Sequence, residues 1–237
     1  MIAMVPFSVM RALDLLQQTI SDCTLCPRLT NYRREVAKEK VKRFKDWDYW
    51  GRPIPGFGDP QAGLYVLGLA PAAHGGNRTG RVFTGDRSGD WLYDALHTFA
   101  FANQPESVYR GDGLTLQNCY VAAAVRCAPP ANKPTKEEFE ACRSFLVEEL
   151  GLLGRVQVVV ALGKIAFDEY VRTCQSMGHK IPSPRLKFSH GAEYVLPWGV
   201  TLLGSYHPSQ QNTFTGTLTR PMFHSVFRRA KNLIAQG

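Results

Sequence analysis

The chain has 237 residues, 44% of them hydrophobic and 11% aromatic, which is enough to bury the core of one α/β domain. It has no apolar run of the roughly 18 residues that a membrane-spanning helix needs, and its apolar start lacks the basic region and cleavage site of a secretory signal. The formal net charge of +8 suggests a polyanionic partner. We therefore expect one cytoplasmic domain over residues 1–237.

Segments with strand and helix patterns alternate along the chain. Four apolar segments have strand character: Leu64–Leu69, Tyr120–Val125, Val156–Leu162 and Val200–Ser205. Helical spacing of apolar residues predicts five helices: Val9–Ser21, Ser88–Ala102, Thr135–Leu150, Lys164–Cys174 and Arg220–Ala235. This alternation predicts a three-layer α/β/α sandwich around a mainly parallel, four-stranded central sheet.

Positive charge is concentrated in two stretches. Residues 28–52 hold nine basic and four acidic residues, and residues 194–237 hold four Lys or Arg and no acid. Such clustering favours a nucleic-acid backbone, because binding releases the counterions condensed on it. The alternative is a solvated basic face, and the charge distribution favours nucleic acid.

Four of the six cysteines form a pattern that could bind a metal. Cys23 and Cys26 are a C-x2-C pair, Cys127 ends the second strand, and Cys142 lies on the following helix. In a cytoplasmic protein such a pair indicates a metal or redox site rather than a disulfide. Four thiolates suit either structural zinc or an iron–sulfur cluster, and the spacing leaves both open. Cys142 also lies on an apolar helix stripe, where a buried free thiol would be ordinary.

A glycine-rich loop, Gly68–Asp86, follows the first strand. It contains five glycines in nineteen residues and leads into a helix. Strand, polar loop and helix in this order form the ligand site of open α/β sheets, and loops of this length are usually functional. Dinucleotide and P-loop fingerprints are absent from it. We therefore expect a ligand site here. A second polar segment, Tyr206–Asn212, follows the fourth strand and contains His207.

Three motifs together resemble the uracil-DNA glycosylase superfamily. They are the segment Gly68–Arg81, the segment Cys127–Pro134 and the segment His207–Asn212, combined with the four cysteines. The chain is most similar to family 5, or type b, whose bacterial and archaeal members carry a [4Fe–4S] cluster. The resemblance extends from about Cys23 to Arg229.

The resemblance implies a monofunctional glycosylase of base excision repair, which hydrolyses the bond between deoxyribose and a deaminated base and leaves an abasic site. It implies that double- or single-stranded DNA is the partner, and that the enzyme is a nucleoid-associated monomer. The implied cluster ligands, with a structural role, are Cys23, Cys26, Cys127 and Cys142.

Two positions depart from the wider superfamily. The first loop, Gly68–Ala72, has no acidic residue, and Ala123 stands where related cluster-bearing enzymes have an asparagine that reads uracil. Alanines in place of polar side chains predict a roomier and less selective pocket. We expect activity on hypoxanthine and xanthine as well as uracil. The predicted alanine lining is Ala70, Ala72, Ala73 and Ala123.

A base inside a duplex must be rotated out into a pocket before its glycosidic bond can be attacked. We expect Phe83 to stack on the base, with Gly68 and Ala70 beside it; a core role for Phe83 is the alternative. Asn132 could read the base edge, or it could simply form a turn.

Two side chains are predicted to be catalytic. His207 could donate an N–H to the base as negative charge develops on it, or it could cap the strand end. Asp86, the one carboxylate of the glycine loop, could orient water and stabilise the sugar cation, or it could cap the following helix.

The remaining candidates concern DNA contacts. Phosphate contacts are predicted for Arg78, Arg81 and Lys133, and groove contacts for Ser209, Gln210 and Gln211. Phe214 or Leu218 could fill the vacated base stack. The alternatives to a glycosylase are a non-catalytic iron–sulfur module that binds nucleic acid and a flavodoxin-like or ferredoxin-type redox protein.

Overall fold

The computed structural model describes residues 7–183 and 186–236. Its sheet has six strands in the order β1-β3-β2-β4-β6-β5. The four inner strands are parallel, and each outer strand pairs antiparallel with its neighbour. The strands are β1 (Phe57–Gly58), β2 (Leu64–Gly68), β3 (Cys119–Ala123), β4 (Val158–Leu162), β5 (Glu193–Val195) and β6 (Thr201–Ser205).

The prediction of a four-stranded sheet is therefore wrong in number, although all four predicted strands are present. The two additional strands are the edge strands, with two and three residues respectively. Neither is fully buried, and Val195 is exposed. Edge strands need no continuous apolar run, because one side of their backbone has no neighbouring strand to exclude water. Hydrophobic pattern alone could not detect them.

Helices cover both faces of the sheet. In chain order they are α1 (Phe7–Asp22), α2 (Pro27–Glu39), α3 (Gly76–Thr79), α4 (Arg87–Thr98), α5 (Lys136–Leu152), α6 (Lys164–Ser176), α7 (Gln210–Phe214) and α8 (Arg220–Gln236). One face packs against α1, α5 and α6, and the other against α4 and α8. The predicted three-layer α/β/α sandwich is confirmed. None of the described helices combines the length and the hydropathy of a membrane span.

The inner strands divide their side chains between two hydrophobic cores. In β2, Leu64 and Val66 belong to the core under α4 and α8, whereas Tyr65 and Leu67 belong to the core under α1, α5 and α6. All five residues of the strand are buried. This is the two-sided burial expected of a parallel sheet, in which alternate side chains point to opposite faces.

Helix α2 was not predicted. Pro27 at its start suits the first helical turn, where no backbone N–H is needed for the helix ladder. Its buried residues are Leu29, Thr30 and Arg33, so it contributes little apolar surface to the core. It lies within the basic stretch 28–52, where charged residues obscure the helical period of apolar residues.

A buried hydrogen-bonded network around one ion pair joins β2, β3 and α5. Arg126 Nη2 donates to Glu149 Oε1 at 2.8 Å, and the two side chains are 1% and 0% exposed. The hydroxyls of Tyr65 and Tyr120 donate to the two oxygens of Glu149, at 2.6 and 3.3 Å. The network fixes Arg126, which directly precedes Cys127 in the chain.

We expect Glu149→Gln to lower the free energy of unfolding by about 3–5 kcal/mol, because Arg126 would lose the carboxylate that pairs with its buried charge. Urea unfolding followed by circular dichroism measures the change. The matched control is Asp168→Asn, which removes the exposed pair with Lys164 and should change stability by less than about 1 kcal/mol. Equal effects in the two variants would contradict the prediction.

Candidate functional site

The loops that follow β2, β3 and β6 meet at one edge of the sheet. The parallel register aligns the strand ends, since Gly68 pairs with Ala123 and Leu162 with Ser205. Their carboxyl ends therefore lie side by side, which is where open α/β sheets bind ligands. A cavity of about 480 Å³ lies at this edge. We call it the carboxyl-edge pocket.

Eight of the twelve residues predicted for catalysis, base binding or DNA contact line the carboxyl-edge pocket. They come from three separate loops: Ala70, Phe83 and Asp86 from the first, Asn132 from the second, and His207, Ser209, Gln210 and Gln211 from the third. Of the four predicted alanines, Ala70 and Ala72 line this pocket. Ala123 is 3% exposed inside β3 and does not line it, and Ala73 lines an adjoining groove instead. The prediction is wrong for these last two.

Phe83 is held over Gly68 in a buried position. Its ring atoms would collide with a Cβ at residue 68, so the close approach requires glycine there. Gly68 itself is not part of the pocket lining; its role is to admit the ring. The Phe83 and His207 rings lie with centroids 5.9 Å apart and planes inclined by 32°. Phe83 is thus both a core residue and a wall of the pocket.

Asp86 caps helix α4. Its Oδ1 accepts hydrogen bonds from the backbone N–H groups of Ser88 and Gly89, at 2.9 and 3.1 Å. Its Oδ2 lies against Gly75, where a Cβ could not fit. Burial raises the pKa of the Asp86 carboxyl, and the N–H groups of Gly89 and Ser88 oppose that shift. One oxygen caps the helix, which leaves the other available for a second role.

His207 is a neutral imidazole at physiological pH. Burial lowers the pKa of His207 to about 4. Its backbone carbonyl accepts a hydrogen bond from Asn212 Nδ2 at 2.9 Å, which anchors the loop after β6. Within the described ranges its ring nitrogens make no hydrogen bond, so the ring does not cap the strand end. A ring N–H is therefore free to serve a ligand in the pocket.

Asn132 and its neighbours form the second wall. Ala131 and Asn132 both have left-handed backbone conformations, with φ of 52° and 56°. Asparagine tolerates this conformation better than most residues. Asn132 is exposed at the pocket rim, and Lys133 is exposed beside it. Arg28 Nη2 donates to the carbonyl of Lys133 at 3.1 Å, which ties this loop to helix α2.

Arg81 is not available to a phosphate, so the prediction of a DNA contact there is wrong. Its side chain is 4% exposed and forms a salt bridge with Asp112, with 2.6 Å between Nη2 and Oδ2. The remaining donors are bound to the hydroxyls of Thr84 and Ser107. Arg81 stabilises the glycine loop from within.

Arg78, which was also predicted to contact a phosphate, is buried. Its Nε donates to the carbonyl of His74 at 2.8 Å, and Nη2 donates to the carbonyl of Gly85 at 3.0 Å. The guanidinium carbon lies 3.9 Å from the ring centroid of Phe44 and 4.1 Å from that of Trp47. Arg78 therefore joins the two ends of the glycine loop and is stacked between two aromatic rings.

The candidates in the third loop differ in exposure. Ser209 caps the short helix α7, because its Oγ accepts from the Asn212 N–H. Gln210 and Gln211 are exposed at the pocket mouth. Leu218 is fully buried, so the prediction that it could fill the vacated base stack is wrong. Phe214, the other candidate for that role, is 67% exposed.

The four predicted cysteine ligands come together on one side of the sheet. Cys26, Cys127 and Cys142 belong to one hydrophobic cluster, and all four thiols interact electrostatically. Burial, reinforced by neighbouring cysteines, raises the pKa of Cys127 to about 12 and that of Cys142 to about 11. All six cysteines are free thiols. The other two, Cys119 and Cys174, are buried elsewhere.

Structural zinc and an iron–sulfur cluster require different separations of their four thiolates. Ligand sulfurs around one tetrahedral zinc lie within about 4 Å of each other, given Zn–S bonds of about 2.3 Å. In the part of the chain that the structure describes, no group of three or more His, Cys, Asp or Glu side chains is already arranged to hold a metal ion. A four-iron cubane holds its four thiolates farther apart, because each binds a different iron.

Two buried arginines beside these thiols have N–H groups without acceptors. They are Arg33 Nε and Arg126 Nε and Nη1. Arg33 interacts with Cys127, and Arg126 with Cys142. Buried donors of this kind are normally hydrogen-bonded. An anionic, sulfur-rich group held by the four thiolates would supply acceptors and counter-charge, so the residues present fit such a group.

The fold and the site define an α/β protein with a pocket at the carboxyl edge of a parallel sheet, lined by polar groups from three loops. Residues 55–231 match the family model described as the uracil DNA glycosylase superfamily, to which this chain belongs. The chain is 52% identical to the type-5 uracil-DNA glycosylase of Thermus thermophilus over 216 residues, covering 91% of this chain and 95% of that protein.

Two further relatives define the position within the superfamily. The type-5 uracil-DNA glycosylase of Mycobacterium tuberculosis is 49% identical over 219 residues, covering 92% of this chain and 80% of the relative. The type-4 uracil-DNA glycosylase of Pyrobaculum aerophilum is 27% identical over 218 residues, covering 92% of this chain and 90% of the relative. The predicted membership in the superfamily, with similarity to family 5, is confirmed.

Proposed function

We propose that this protein is a uracil-DNA glycosylase of DNA repair, which hydrolyses the N-glycosidic bond of uracil in DNA and leaves an abasic site. The observation that carries the proposal is the convergence of Phe83, Asp86, Asn132 and His207, from three loops, on the carboxyl-edge pocket. The high identity to type-5 enzymes over nearly the whole chain supports it.

In this mechanism the extruded base enters the carboxyl-edge pocket and stacks on Phe83, which has room for its ring because residue 68 is glycine. The Asn132 amide, at the rim, hydrogen-bonds the base edge. As the bond from the sugar to the base breaks, negative charge develops on the base oxygens. His207 donates an N–H to one of them, and it does so as a neutral imidazole because burial lowers the pKa of its ring.

Asp86 acts on the sugar side. Its carboxylate orients the attacking water and stabilises the positive charge that develops at C1′. The capping hydrogen bonds from Ser88 and Gly89 hold Oδ1 in place, which leaves Oδ2 for the water. Fixing the carboxylate by the helix start avoids reorganisation during the reaction.

DNA contacts are assigned to groups at the pocket mouth or beside it. Lys133 supplies a cation for a phosphate, and Ser209, Gln210 and Gln211 contact the DNA around the extruded nucleotide. Phe214, which is exposed next to this loop, is the candidate for filling the vacated stack.

We assign the four cysteines Cys23, Cys26, Cys127 and Cys142 as ligands of a [4Fe–4S] cluster. When bound, the cluster supplies a structural cross-link between the segment that joins α1 to α2 and the sheet. The support is the grouping of the four thiols and the orphaned N–H groups of Arg33 and Arg126. The reaction at the pocket needs no electron transfer.

The cluster assignment predicts yellow-brown purified protein with broad visible absorbance. We expect Cys142→Ala to lose most of its iron and colour, because three thiolates hold the group less firmly. The matched control is Cys174→Ala, which removes another buried thiol and should keep full iron content. Colourless wild-type protein with stoichiometric zinc would overturn the assignment.

The proposed activity is tested with labelled duplexes containing a single uracil, hypoxanthine or xanthine, followed by alkali to cleave abasic sites. We expect strand scission with all three, because Ala70 and Ala72 leave part of the pocket wall without polar groups that select a base. Scission with uracil alone would limit the substrate range. Binding without any scission would support the non-catalytic module instead.

A further inference from the structure

A second cavity, of about 820 Å³, adjoins the carboxyl-edge pocket. The two share the side chains of Ala72, Asp86, Arg87, Asn132 and Gln210. We call the second cavity the aromatic groove and define it by Arg43, Phe44, Trp47, His74 and Arg87. Three of these come from the basic stretch 28–52, which the proposed mechanism does not use.

The aromatic groove has rigid walls. Phe44 and Trp47 meet edge to face, with centroids 6.2 Å apart and planes at 77°. The Arg78 guanidinium lies against both rings and is itself bound to the carbonyls of His74 and Gly85. The two rings are therefore fixed relative to the glycine loop, and both remain partly exposed in the groove.

The groove also presents cations. Arg43 and Arg87 are exposed, and neither forms a salt bridge with a carboxylate in the described ranges. Arg43 lies over the ring of Phe44, at 5.0 Å from its centroid, and Arg87 lies over Phe214 at 4.3 Å. Arg87 also interacts electrostatically with Asp90, which lines the same groove. Partly exposed aromatic rings next to exposed arginines form the kind of surface that binds single nucleic-acid strands, by base stacking and phosphate attraction.

Building on the proposed function, we propose that the aromatic groove binds the nucleotide adjacent to the extruded one on the same DNA strand. Its base stacks on Trp47 and its phosphate contacts Arg43. The continuity of the two cavities allows a single strand to pass from one into the other, with Arg87 at their common border. The groove thereby holds the strand in the kinked form that extrusion requires.

The binding test uses a strand with non-hydrolysable 2′-fluoro-deoxyuridine and with 2-aminopurine on either side of it in turn. Wild-type protein should quench 2-aminopurine at one of the two positions, through stacking on Trp47. Trp47→Leu should abolish that quenching and bind about tenfold more weakly, within the range measured for losing one stacked base.

A second variant keeps the test valid if Trp47→Leu does not fold. Arg43→Gln alters an exposed side chain and should reduce the slope of log affinity against log salt by about one. The control Lys180→Gln removes an exposed cation beyond the end of α6, at the opposite edge of the sheet, and should leave quenching and salt slope unchanged.

Uracil release is measured with the same preparations on an ordinary deoxyuridine strand. Wild-type protein that releases uracil but shows no quenching at either position, or an Arg43→Gln variant with an unchanged salt slope, overturns the groove proposal alone. Absence of uracil release by the wild type overturns the proposed function instead.

Discussion

Asp86→Asn should lower the single-turnover rate of uracil release about 100-fold or more, as expected when a group that activates water loses its charge. The substitution is informative because asparagine caps helices as well as aspartate does. The amide oxygen can still accept the hydrogen bonds from Ser88 and Gly89, so α4 should remain intact. Rapid-quench measurement on a uracil duplex gives the rate, and fluorescence anisotropy should give nearly unchanged DNA affinity.

Two companion variants separate catalysis from folding. Asp86→Ala removes the cap as well and should cost about 1 kcal/mol of stability in addition to the rate. Asp90→Asn changes another carboxylate in the first turn of the same helix and should cleave at nearly the wild-type rate. A wild-type rate in Asp86→Asn would remove Asp86 from the mechanism and leave it as a helix cap.

His207→Ala should lower the single-turnover rate by about 100- to 1,000-fold, which is the usual effect of removing one hydrogen-bond donor to a developing oxyanion. Because burial lowers the pKa of His207 to about 4, the ring is neutral throughout the physiological range. The wild-type rate should therefore show no inflection near pH 6.5 that depends on His207. The test is to measure the cleavage rate of the wild type and of His207→Ala as a function of pH and to compare the two profiles.

The same histidine should affect stability at acidic pH. Its folded pKa lies below the unfolded value of about 6.5, so the unfolded state binds more protons between these two values. Stability from this group is present above pH 6.5 and is lost as the pH falls towards 4. The wild type should thus lose more stability than His207→Asn over this interval in urea titrations. Equal losses of stability in the wild type and in His207→Asn would show that the His207 ring is more hydrated than its burial indicates.

Local patterns in the sequence were reliable where a residue's role depends on its immediate neighbours. The four inner strands were predicted because both of their faces are buried, as in Val158–Leu162, and this produces continuous apolar runs. The capping box at the start of α5 was also visible, because Thr135 and Glu138 interact within one turn. The edge strands and α2 lack such signals.

In the functional site, too, features with a local sequence signal were predicted and features that depend on distant contacts were not. The loops that carry Phe83, Asp86 and His207 were recognised from their positions after strands, and the parallel register then brings these loops to one edge. Arg78 and Arg81 were predicted to contact phosphates, but both are buried. Their partners, Phe44, Trp47 and Asp112, are all more than thirty positions away along the chain. Local patterns carry no information about such pairings.

By itself, the sequence determined the layered architecture, the loops that carry chemistry and the superfamily, since each depends on periodicity or on short motifs of fixed spacing. Tertiary structure alone decided which charged side chains form internal ion pairs and hydrogen bonds and which face a ligand. It also decided that the basic stretch 28–52 contributes an aromatic wall beside the pocket. The physical reason is that burial and ion pairing depend on contacts between residues distant in sequence, whereas helix and strand patterns depend on near neighbours.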